Sequence, residues 1–417
     1  MSFLKKLLDG IEVKWQPLSE ITLRTNNIKW RDTTDSYRYI DLTSVDIETK
    51  KIIETSVVTS NNAPSRAQKL IEKDDVIFAT TRPTQMRYCL IDEEYDGEVA
   101  STGYCVLRAK KEVILPKWIL HLISSSEFKG YLEENQSGSA YPAISDAKLK
   151  EFKIPLPCPD NPQKSLEIQT EIVRILDTFS AMTAELTAEL STRKKQYNYY
   201  RDQLLSFKDG EVEWSALGDI GAFTYGYAAK AQDFGDARFV RITDINANGK
   251  LILEEAKYVD ISDENEKYLL NKNDLLMART GATFGKTMIF EEDYPAIYAG
   301  FLIKLSLDEK IVNPKYYWHF AQSDLFWDQA NKLVSGGGQP QFNANALKQV
   351  KMPLPYPQDN NKSLIEQARI VSILDKFDAI TSSIREGLPR EIELRQQQYE
   401  YYRDLLFSFP KSEEIEA

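Results

Sequence analysis

Residues 165–207 read SLEIQTEIVRILDTFSAMTAELTAELSTRKKQYNYYRDQLLSF, and much of this stretch occurs a second time further along the chain. Residues 175–177 return as 373–375, which is 198 positions later. Residues 199–202 return as 401–404, which is 202 positions later, so the second copy holds four extra residues. An internal repeat of this size predicts a fold built from two similar units.

The apolar residues of this stretch recur at steps of three and four, which places them on one stripe of a long helix. No Gly or Pro interrupts residues 165–207, and Ser165 precedes the apolar run as an expected N-cap. At ~1.5 Å per residue the helix would be roughly 60 Å long, and its stripe requires a partner. We predict that it pairs with its own copy, residues 363–409, through the following positions: Ile172, Leu176, Phe179, Leu186, Leu190, Tyr197, Leu204, Ile370, Leu374, Phe377, Ile384 and Tyr399.

The second copy carries its extra residues where Gly387 and Pro389 stand close together. Gly and Pro break or kink a helix, so we predict a kink or short break at 387–389 and helix again from Arg390. The alternative is that both stretches are ordinary amphipathic helices in the core of one large domain. A compact domain has no core that is about 60 Å long, which favours two paired helices.

The composition of the 417-residue chain, 42% hydrophobic and 28% charged, is typical of a soluble globular protein of two to four domains. The sequence lacks a run of about 18 apolar residues, and residues 1–10 do not resemble a signal peptide. Three scattered cysteines form neither a disulfide framework nor a metal pattern. We therefore expect a cytoplasmic protein without a membrane span.

The net charge of −11 is the main argument against nucleic-acid binding. The acidic residues are concentrated in a few stretches, including 92–98 and 260–266. An acidic protein can bind DNA if its basic surface is segregated or if a partner supplies basic surface.

The segments before the two helices also match each other. Trp15 corresponds to Trp214, and residues 74–79 correspond to 273–278, in each case 199 positions later. Alternating apolar residues predict a strand at 39–43 and in its copy at 239–243, and residues 74–79 with their copy are expected to form a second strand. Between such anchors the two segments share almost nothing, as expected of two modules for two different targets.

Residues 1–10 read as a short helix and resemble the exit of the first long helix, so the repeat is cyclic. The second long helix is therefore expected to return beside the first α/β segment. Proline-rich connectors at 155–162 and 353–357 are expected to form neither helix nor strand.

The predicted fold class is α+β, with two similar mixed α/β domains separated by two long antiparallel, coiled-coil-like helices in pseudo-two-fold symmetry. We expect the first domain at residues 1–154 and the first helical region at 155–209. The second domain is expected at 210–352 and the second helical region at 353–417.

Motifs for catalysis are weak in this sequence. Residues 281–287 follow a predicted strand and look like a phosphate loop, but they hold one residue too few between the glycines for the Walker pattern. The only histidines, His121 and His319, fall at equivalent positions. This indicates a shared chemical role or, more simply, a helix-face residue kept by duplication. We predict no catalytic residue, no metal and no cofactor in this chain.

Loops rich in Arg, Lys, Asn, Gln, Thr and Tyr cluster at equivalent places in both α/β segments. Base edges require such donors and acceptors, and phosphates require cations or N–H groups. Any one of these residues taken alone is more often part of a solvated loop. The candidate DNA-binding residues are Arg24, Asn26, Asn27, Asn61, Asn62, Arg66, Thr81, Arg82, Gln85, Arg87, Thr224, Tyr225, Tyr227, Lys230, Arg241, Arg279, Thr280, Lys286, Gln339 and Gln341.

Several short runs resemble the conserved segments of Type I restriction-modification specificity subunits. The resemblance covers essentially the whole chain and its two-fold repetition. The first copy departs from the pattern with Ile168 in place of Glu366 and Asp41 in place of Arg241. The runs are PLP at 353–355, EQARIV at 366–371, LD at 374–375, DLL at 274–276 with Arg279 and Gly281, and FVRI at 239–242 with Asp244-Ile245.

The resemblance implies that each α/β domain is a target recognition domain that reads one half of an asymmetric bipartite DNA site. It implies that the paired helices act as a spacer. Two methyltransferase subunits would dock on the chain, bind S-adenosylmethionine and perform the chemistry, and restriction subunits would join them for cleavage. The chain itself would be a non-catalytic part of a phage-defence complex.

Two alternatives stay open. One is a coiled-coil scaffold whose globular units bind other proteins, which the acidic charge favours. The other is a specificity subunit of another defence methylation system.

Overall fold

A computed structural model describes residues 11–208, 210–336, 340–383 and 387–409. The chain divides into two compact units. Unit 1 comprises Met1–Leu186 together with Ile392–Ala417, and unit 2 comprises Thr187–Glu391. The C-terminal segment therefore belongs to the same unit as the first α/β domain, which confirms the prediction drawn from the cyclic repeat. The short helix expected at residues 1–10 lies outside the described residues.

Within residues 11–157, unit 1 holds an α/β domain with ten strands and four short helices. Its strands are β1 (Val13–Pro17), β2 (Thr22–Leu23), β3 (Tyr37–Ile40), β4 (Ser56–Val58), β5 (Ala67–Leu70), β6 (Val76–Ala79), β7 (Tyr88–Leu90), β8 (Val99–Ser101), β9 (Tyr104–Ala109) and β10 (Lys153–Pro157). Its short helices are α1 (Leu18–Ile21), α2 (Pro116–Ile123), α3 (Ser126–Asn135) and α4 (Asp146–Leu149).

Three sheets organise unit 1: β1-β10, β2-β9-β6-β7 and β4-β3-β8-β5. The β3-β8 pair is parallel, and the other strand pairs are antiparallel. Strand β6, which falls at the second predicted strand, is completely buried in the middle of its sheet.

The long helix α5 (Pro162–Leu205) leads into unit 2. The strands of unit 2 are β11 (Val212–Ala216), β12 (Gly221–Tyr225), β13 (Ala237–Val240), β14 (Tyr258–Val259), β15 (Leu275–Ala278), β16 (Thr287–Ile289), β17 (Ala296–Tyr298), β18 (Leu302–Leu307) and β19 (Lys351–Pro355). Its helices are α6 (Leu217–Ile220), α7 (Pro314–Phe320), α8 (Asp324–Leu333), α9 (Ala344–Leu347) and α10 (Asn360–Ser382). The last helix of the chain, α11 (Leu388–Leu406), crosses back into unit 1.

Unit 2 repeats the topology of unit 1 with the sheets β11-β19, β12-β18-β15-β16 and β14-β13-β17. Its β13-β17 pair is parallel, as is β3-β8. The counterpart of β5 is reduced to an isolated antiparallel bridge between Leu269 and Ile297 of β17. The tandem repeat predicted from the sequence is therefore confirmed at the level of strand order.

The proline connectors were predicted wrongly, since both contain a strand. In the β1-β10 ladder Trp15 lies opposite Pro155 and Val13 opposite Pro157. A two-stranded ladder leaves one edge of each strand free, and prolines at alternate positions turn their ring nitrogens to that edge. The carbonyl of Pro155 accepts a hydrogen bond from Trp118 Nε1 at 3.1 Å.

Helix α5 begins three residues before the expected N-cap. The Oδ1 atom of Asn161 accepts from the backbone N–H of Lys164 at 3.1 Å, and Pro162 occupies the first helical position. Ser165 lies inside the first turn and accepts from Gln169 Nε2 at 3.1 Å. The assignment of Ser165 as N-cap was therefore wrong.

The second long helix is broken, as predicted, because α10 ends at Ser382 and α11 starts at Leu388. Helix resumes slightly earlier than expected, since Pro389 fits in a first turn that needs no N–H donor from it. A Cβ atom on Gly387 would lie 2.5 Å from the carbonyl oxygen of Ala379 and 2.8 Å from that of Ile380. Only glycine fits at this closely packed turn.

Each unit buries a segment of both long helices under its α/β domain. In unit 1, Ile172 of α5 joins a core with Trp118 of the domain and Phe407 after α11. In unit 2, Leu374 of α10 joins Tyr197 of α5 and the domain helix α7. The predicted pairing residues are buried to different degrees. Four are fully buried: Ile172, Leu176, Ile370 and Leu374. Two are nearly so, Tyr197 and Tyr399, and the half-buried ones are Phe179, Leu186, Leu190, Leu204 and Phe377. Ile384 lies outside the described residues.

Aromatic rings of the long helices also contact each other inside each unit. In unit 1, Phe179 stacks on Tyr402 with ring centroids 5.1 Å apart. In unit 2, Tyr200 stacks on Phe377 at 5.4 Å. None of the helices in the described ranges is both long and apolar enough to span a membrane.

Candidate nucleic-acid interface

The candidate loops of unit 1 are joined edge to edge by backbone hydrogen bonds. The loop at 26–28 bonds to residues 68–70, because Ile28 N–H donates to Gln68 O at 2.7 Å and Leu70 N–H to Asn26 O at 3.1 Å. The same strand leads back to Arg66, whose carbonyl accepts from Thr102 N–H at 2.8 Å.

The chain of contacts continues from there to the loop after β6. Thr80 N–H donates to Gly103 O at 2.8 Å, and Arg82 N–H donates to Pro142 O at 2.7 Å. Residues from five separate stretches of the sequence therefore form one surface, which we call the unit 1 loop face: 24–31, 66–70, 80–85, 101–103 and 141–143.

The unit 1 loop face carries arginines whose charge is not neutralised. Within the described residues, the guanidinium groups of Arg24, Arg31, Arg66 and Arg82 have no carboxylate partner and all four side chains are exposed, Arg31 being one the sequence prediction missed. By contrast, Arg38 pairs with Glu94 and Glu98, and Arg108 with Glu72 and Asp75. The acidic stretch at 92–98 is thus used to neutralise cations elsewhere in the unit, and the positive charge is segregated on this face.

Arg82 is held more firmly than its neighbours. Its backbone has φ of 50°, a left-handed conformation that is unfavourable for a residue with a side chain. Its guanidinium carbon lies 5.1 Å from the ring centroid of Tyr141, whose side chain is 70% exposed. A cation over an aromatic face is attracted by the ring quadrupole.

The other unit 1 candidates fall into two groups. Asn26, Asn27, Asn61 and Gln85 are exposed, as is Asn62, whose Oδ1 accepts from Thr59 N–H at 2.6 Å and so closes a turn. Thr81 forms a bridge with Ala143. The guanidinium of Arg87 instead donates to the backbone carbonyls of Leu42 and Val45 inside the fold.

Unit 2 builds an equivalent surface, the unit 2 loop face, from residues 225–227, 279–281, 299–302 and 340–342. Arg279 N–H donates to Phe301 O at 3.1 Å, and Phe342 N–H donates to Arg279 O at 2.8 Å. Gly226 N–H donates to Leu302 O at 3.1 Å. A Cβ atom on Gly226 would lie 2.4 Å from Ala299 O, so glycine alone permits this close approach.

Arg279 is fixed from two sides. Its Nε donates to Gly300 O at 3.1 Å, and its guanidinium carbon lies 5.1 Å from the Tyr225 ring and 5.5 Å from the Phe301 ring. The hydroxyl of Tyr225 accepts from Ala344 N–H at 3.1 Å, which fixes the ring in turn. Phe301 is 56% exposed although it is a large apolar residue.

The remaining DNA-binding candidates of unit 2 lie at different places and have different partners. Thr280 and Gln341 bridge to each other and Tyr227 bridges to Ala299, whereas Thr224 and Lys230 are exposed. Arg241 is bonded to the buried carboxylate of Asp244. Lys286 lines a cavity of about 370 Å³ together with Lys194 and Arg201. Gln339 lies outside the described residues.

The loop that resembles a phosphate-binding motif is a short 3-10 turn, Gly281–Thr283, followed by strand β16. A phosphate loop would instead lead into a helix whose N-terminus faces the ligand. Within the described ranges no group of three or more His, Cys, Asp or Glu side chains is placed to hold a metal ion.

Sequence reasoning missed a cluster at the junction of each domain with the long helices. In unit 1, His121 Nε2 lies 3.1 Å from Asp177 Oδ1 on α5, and its Nδ1 lies 2.9 Å from Tyr399 Oη on α11. Lys117 also binds Asp177, at 2.6 Å. One domain histidine therefore joins both long helices. We call His121, Asp177 and Tyr399 the unit 1 bracket.

The unit 2 bracket is the same arrangement with His319, Asp375 and Tyr197. The distances are 2.9 Å from His319 Nε2 to Asp375 Oδ1 and 2.9 Å from Nδ1 to Tyr197 Oη. A neutral imidazole satisfies both, because Nε2–H donates to the carboxylate and Nδ1 accepts from the tyrosine. Burial lowers the pKa of His319, and the bond to Asp375 only partly opposes this.

The brackets decide between the two interpretations of the paired histidines: they share a role, which is to join domain and helices. The signal was present in the sequence, because His, Asp and Tyr all recur at equivalent positions. Nothing in the sequence showed that the three segments meet.

The repeated domain agrees with what comparison with known proteins shows. The sequence matches the Type I restriction modification DNA specificity domain over residues 25–193 and again over 210–394. It is 39% identical to the Type I restriction enzyme EcoR124I/EcoR124II specificity subunit of Escherichia coli, covering 100% of this chain and 99% of that one. A putative type I restriction enzyme specificity subunit of Haemophilus influenzae is 31% identical, with 98% of each chain covered.

Solved structures agree on the fold. A chain from the type I R-M system, solved in a study of complex assembly and conformational transition, has a TM-score of 0.57 at 20% identity and covers 96% of this chain and 98% of its own. The S subunit of a Type I restriction-modification system from M. genitalium has a TM-score of 0.56 at 14% identity, covering 99% and 100%. The chain belongs to the family of type I restriction-modification DNA specificity subunits.

Proposed function

We propose that this chain is the DNA sequence-recognition subunit of a type I restriction-modification complex. Each unit reads one half of a bipartite DNA site through its loop face. The observation that carries this function is that two equivalent faces carry different side chains, so the two half-sites differ and the target is asymmetric. The target recognition domains are residues 1–154 and 210–352, and the helical regions are 155–209 and 353–417.

The unit 1 loop face supports this proposal by its charge. Its four unneutralised arginines give a cationic surface on a chain whose net charge is −11. Cations that face a phosphate backbone release counterions, so affinity should fall steeply with salt. A scaffold that binds proteins does not require such a surface.

The repeated helical surface supports a partner that binds twice. Tyr199 and Tyr401 are equivalent, and they are 61% and 65% exposed. Each packs edge-on against the next tyrosine, with ring centroids 5.4 Å apart in both copies. Matching surfaces in a pseudo-symmetric chain fit two copies of one partner. We assign them to two methyltransferase subunits, which bind S-adenosylmethionine and perform the chemistry, and which restriction subunits join for cleavage.

In this assignment the chain itself carries no catalytic residue and no cofactor. The brackets are consistent with that, because their imidazoles are 3% and 0% exposed and both ring nitrogens are engaged. A general base must reach the proton that it removes from a substrate.

The first test is methylation mapping in a host that carries this gene with its methyltransferase gene. Long-read sequencing should find one asymmetric bipartite motif that disappears when this gene is deleted. A gel shift of the purified complex should weaken steeply between low and moderate salt. A complex that methylates without any bipartite motif, or that does not bind DNA, would support the scaffold alternative.

The second test concerns the spacer. Residues 183–186 read TAEL and residues 187–190 repeat it, inside the 44-residue helix α5. Deleting residues 187–190 shortens the helix by about 6 Å at ~1.5 Å per residue. We expect the spacer of the methylated motif to change by about one or two base pairs, at ~3.4 Å each, with both half-sites unaltered. The control is Thr187→Ala, which keeps the length, and an unchanged spacer in the deletion would contradict the role of the helices.

A further inference from the structure

Resting on the proposed function, we propose that Arg82 in unit 1 and Arg279 in unit 2 each read a guanine in the major groove. Tyr141 and Phe301 are positioning residues, which hold the two guanidinium groups ready for the base. Each half-site therefore contains a guanine whose recognition depends on one arginine.

The guanidinium groups of these two arginines differ from those of Arg24 and Arg66 in having aromatic partners in the free protein. Arg82 is anchored by its backbone N–H to Pro142 O and by the ring of Tyr141 at 5.1 Å. Arg24 and Arg66 have no hydrogen-bond or ring partner for their guanidinium groups among the described residues. Freely moving cations suit phosphates, which fix position without reading sequence. A fixed planar fork suits a base edge.

The donors of Arg279 are placed for such a contact. Its Nε is used by Gly300 O, while the two terminal nitrogens make no hydrogen bond within the described part of the chain. They remain to donate as a pair, and a pair of parallel N–H donors matches the O6 and N7 acceptors of guanine. A lysine offers a point charge and cannot make this bidentate contact.

The exposed rings have a second use beside the arginines. Tyr141 is 70% exposed and Phe301 56% exposed, on surfaces otherwise formed by polar loops. An apolar surface next to a guanine-reading fork can cover the methyl group of a neighbouring thymine. It also shields the guanidinium from water and so limits its motion.

The guanine-reading arginine occupies non-equivalent positions in the two copies of the repeat. Position 82 corresponds to Gly281, and Arg279 corresponds to Thr80. The arginine of unit 2 therefore stands two residues earlier in the loop than the arginine of unit 1. The guanine should consequently fall at a different place within each half-site, which contributes to an asymmetric target.

The backbone at position 82 provides a clean test variant. Arg82 has φ of 50° and its counterpart Gly281 has φ of 68°, so glycine is native to this turn. Arg82→Gly removes the side chain without straining the fold. Arg82→Lys keeps the charge but loses the fork, and Tyr141→Phe keeps the ring while Tyr141→Ala removes it.

The experiment compares these variants, and Arg279→Lys and Phe301→Ala in unit 2, as complexes with the methyltransferase by long-read methylation mapping. We expect Arg82→Gly and Arg82→Lys to relax one guanine of one half-site, with methylation at other bases there rising by about tenfold to a hundredfold relative to guanine. Arg279→Lys should relax one guanine in the other half-site. Tyr141→Ala and Phe301→Ala should relax the same positions more weakly, and Tyr141→Phe should behave as wild type.

The control variants are Arg24→Ala and Arg66→Ala. They should lower methylation at all sites and reduce the salt slope by about one, with the motif unchanged. Retention of every guanine by Arg82→Gly would overturn the inference. Equal loss at all sites by Arg82→Gly, with thermal unfolding unchanged, would also overturn it. If the wild-type complex gives no bipartite motif, it is the proposed function that fails, which is a distinct result.

Discussion

In unit 1 the loop after strand β6 carries Arg82 and Met86 at φ of 50° and 53°, and in unit 2 the equivalent positions are Gly281 and Gly285 at 68° and 77°. A left-handed backbone conformation is strained for residues with a side chain but unstrained for glycine. The two copies therefore follow the same backbone path with mostly different side chains, since only Thr81 and Thr84 recur, as Thr280 and Thr283. The repeated strands fix the backbone of this loop, and its side chains can differ between two target recognition domains.

The junction with the helices shows the opposite behaviour. The brackets use His, Asp and Tyr in both units, with bond lengths that agree within 0.2 Å. The surroundings of the brackets differ, since Ser124 of unit 1 also contacts Tyr399 at 3.2 Å and Lys315 of unit 2 also pairs with Glu291 at 3.1 Å. The residues that hold the helices are kept in both copies, and the residues of the loop faces have diverged.

The largest expected effect comes from breaking one bracket. His319→Ala removes the imidazole partner of the buried Tyr197 hydroxyl, leaves Asp375 with Lys315 alone, and opens a cavity, so unit 2 should lose about 3 kcal/mol. His121→Ala should destabilise unit 1 by a similar amount. Urea unfolding followed by hydrogen exchange assigns the loss to a unit.

The control for this pair is Tyr197→Phe, which removes one hydrogen bond without a cavity and should cost about 1 kcal/mol. If His319→Ala cost no more than Tyr197→Phe, the bracket would be an incidental contact. If both histidine variants destabilised both units equally, the two brackets would not act separately.

The long helices could be predicted because their signal is local. Steps of three and four in the apolar residues define α5, and Gly387 with Pro389 defines the break before α11. The start of α5 at Pro162 was missed because Ser165 is as good an N-cap by type as Asn161.

The features that were predicted wrongly or missed depend on residues that are distant in the sequence. Pro155 reads as a breaker until β1, about 140 residues earlier, supplies the ladder that tolerates it. The loop stretches of the candidate site were identified by residue type, but only backbone bonds such as Arg82 N–H to Pro142 O show that they form one face. Arg87 and Arg241 were chosen by the same criterion, and the fold gives their guanidinium groups partners of its own.

Helix α5 is continuous, whereas its copy is broken into α10 and α11. A substitution at Gly387 tests whether close packing holds this break. Gly387→Ala would place a Cβ atom 2.5 Å from Ala379 O, a backbone atom that cannot move without shifting α10. We expect a loss of about 2 kcal/mol, measured by chemical denaturation. Gly130→Ala is the control, because that helical position has nothing within 4 Å of a Cβ.

Gly130→Ala should raise stability by about 1 kcal/mol through helix propensity. A gain rather than a loss in Gly387→Ala would mean that the break is not held by close packing. The two long helices would then differ in sequence only, and the extra residues of the second copy would have no structural consequence.

The smallest expected effect is a dependence of unit 2 on pH. Burial lowers the pKa of His319 below its ordinary value of 6.5, and the bond to Asp375 only partly opposes this. As the pH falls below about 6.5, the unfolded chain takes up a proton that the folded chain does not, so stability falls by at most about 1.4 kcal/mol per pH unit. Urea unfolding of unit 2 at pH 7.5 and 5.5, resolved by hydrogen exchange, measures this slope.

The variant His319→Gln isolates the contribution of the imidazole, because glutamine cannot take up the proton. Its unit 2 should show a shallower slope than wild type over this range. The carboxylate of Asp375 acts in a separate window: burial raises its pKa but the bonds from His319 and Lys315 lower it more, to below 3.8. Stability from that group is lost only at still lower pH. Equal slopes in wild type and His319→Gln would show that the histidine is not held neutral, and the tautomer assigned to the unit 2 bracket would be wrong.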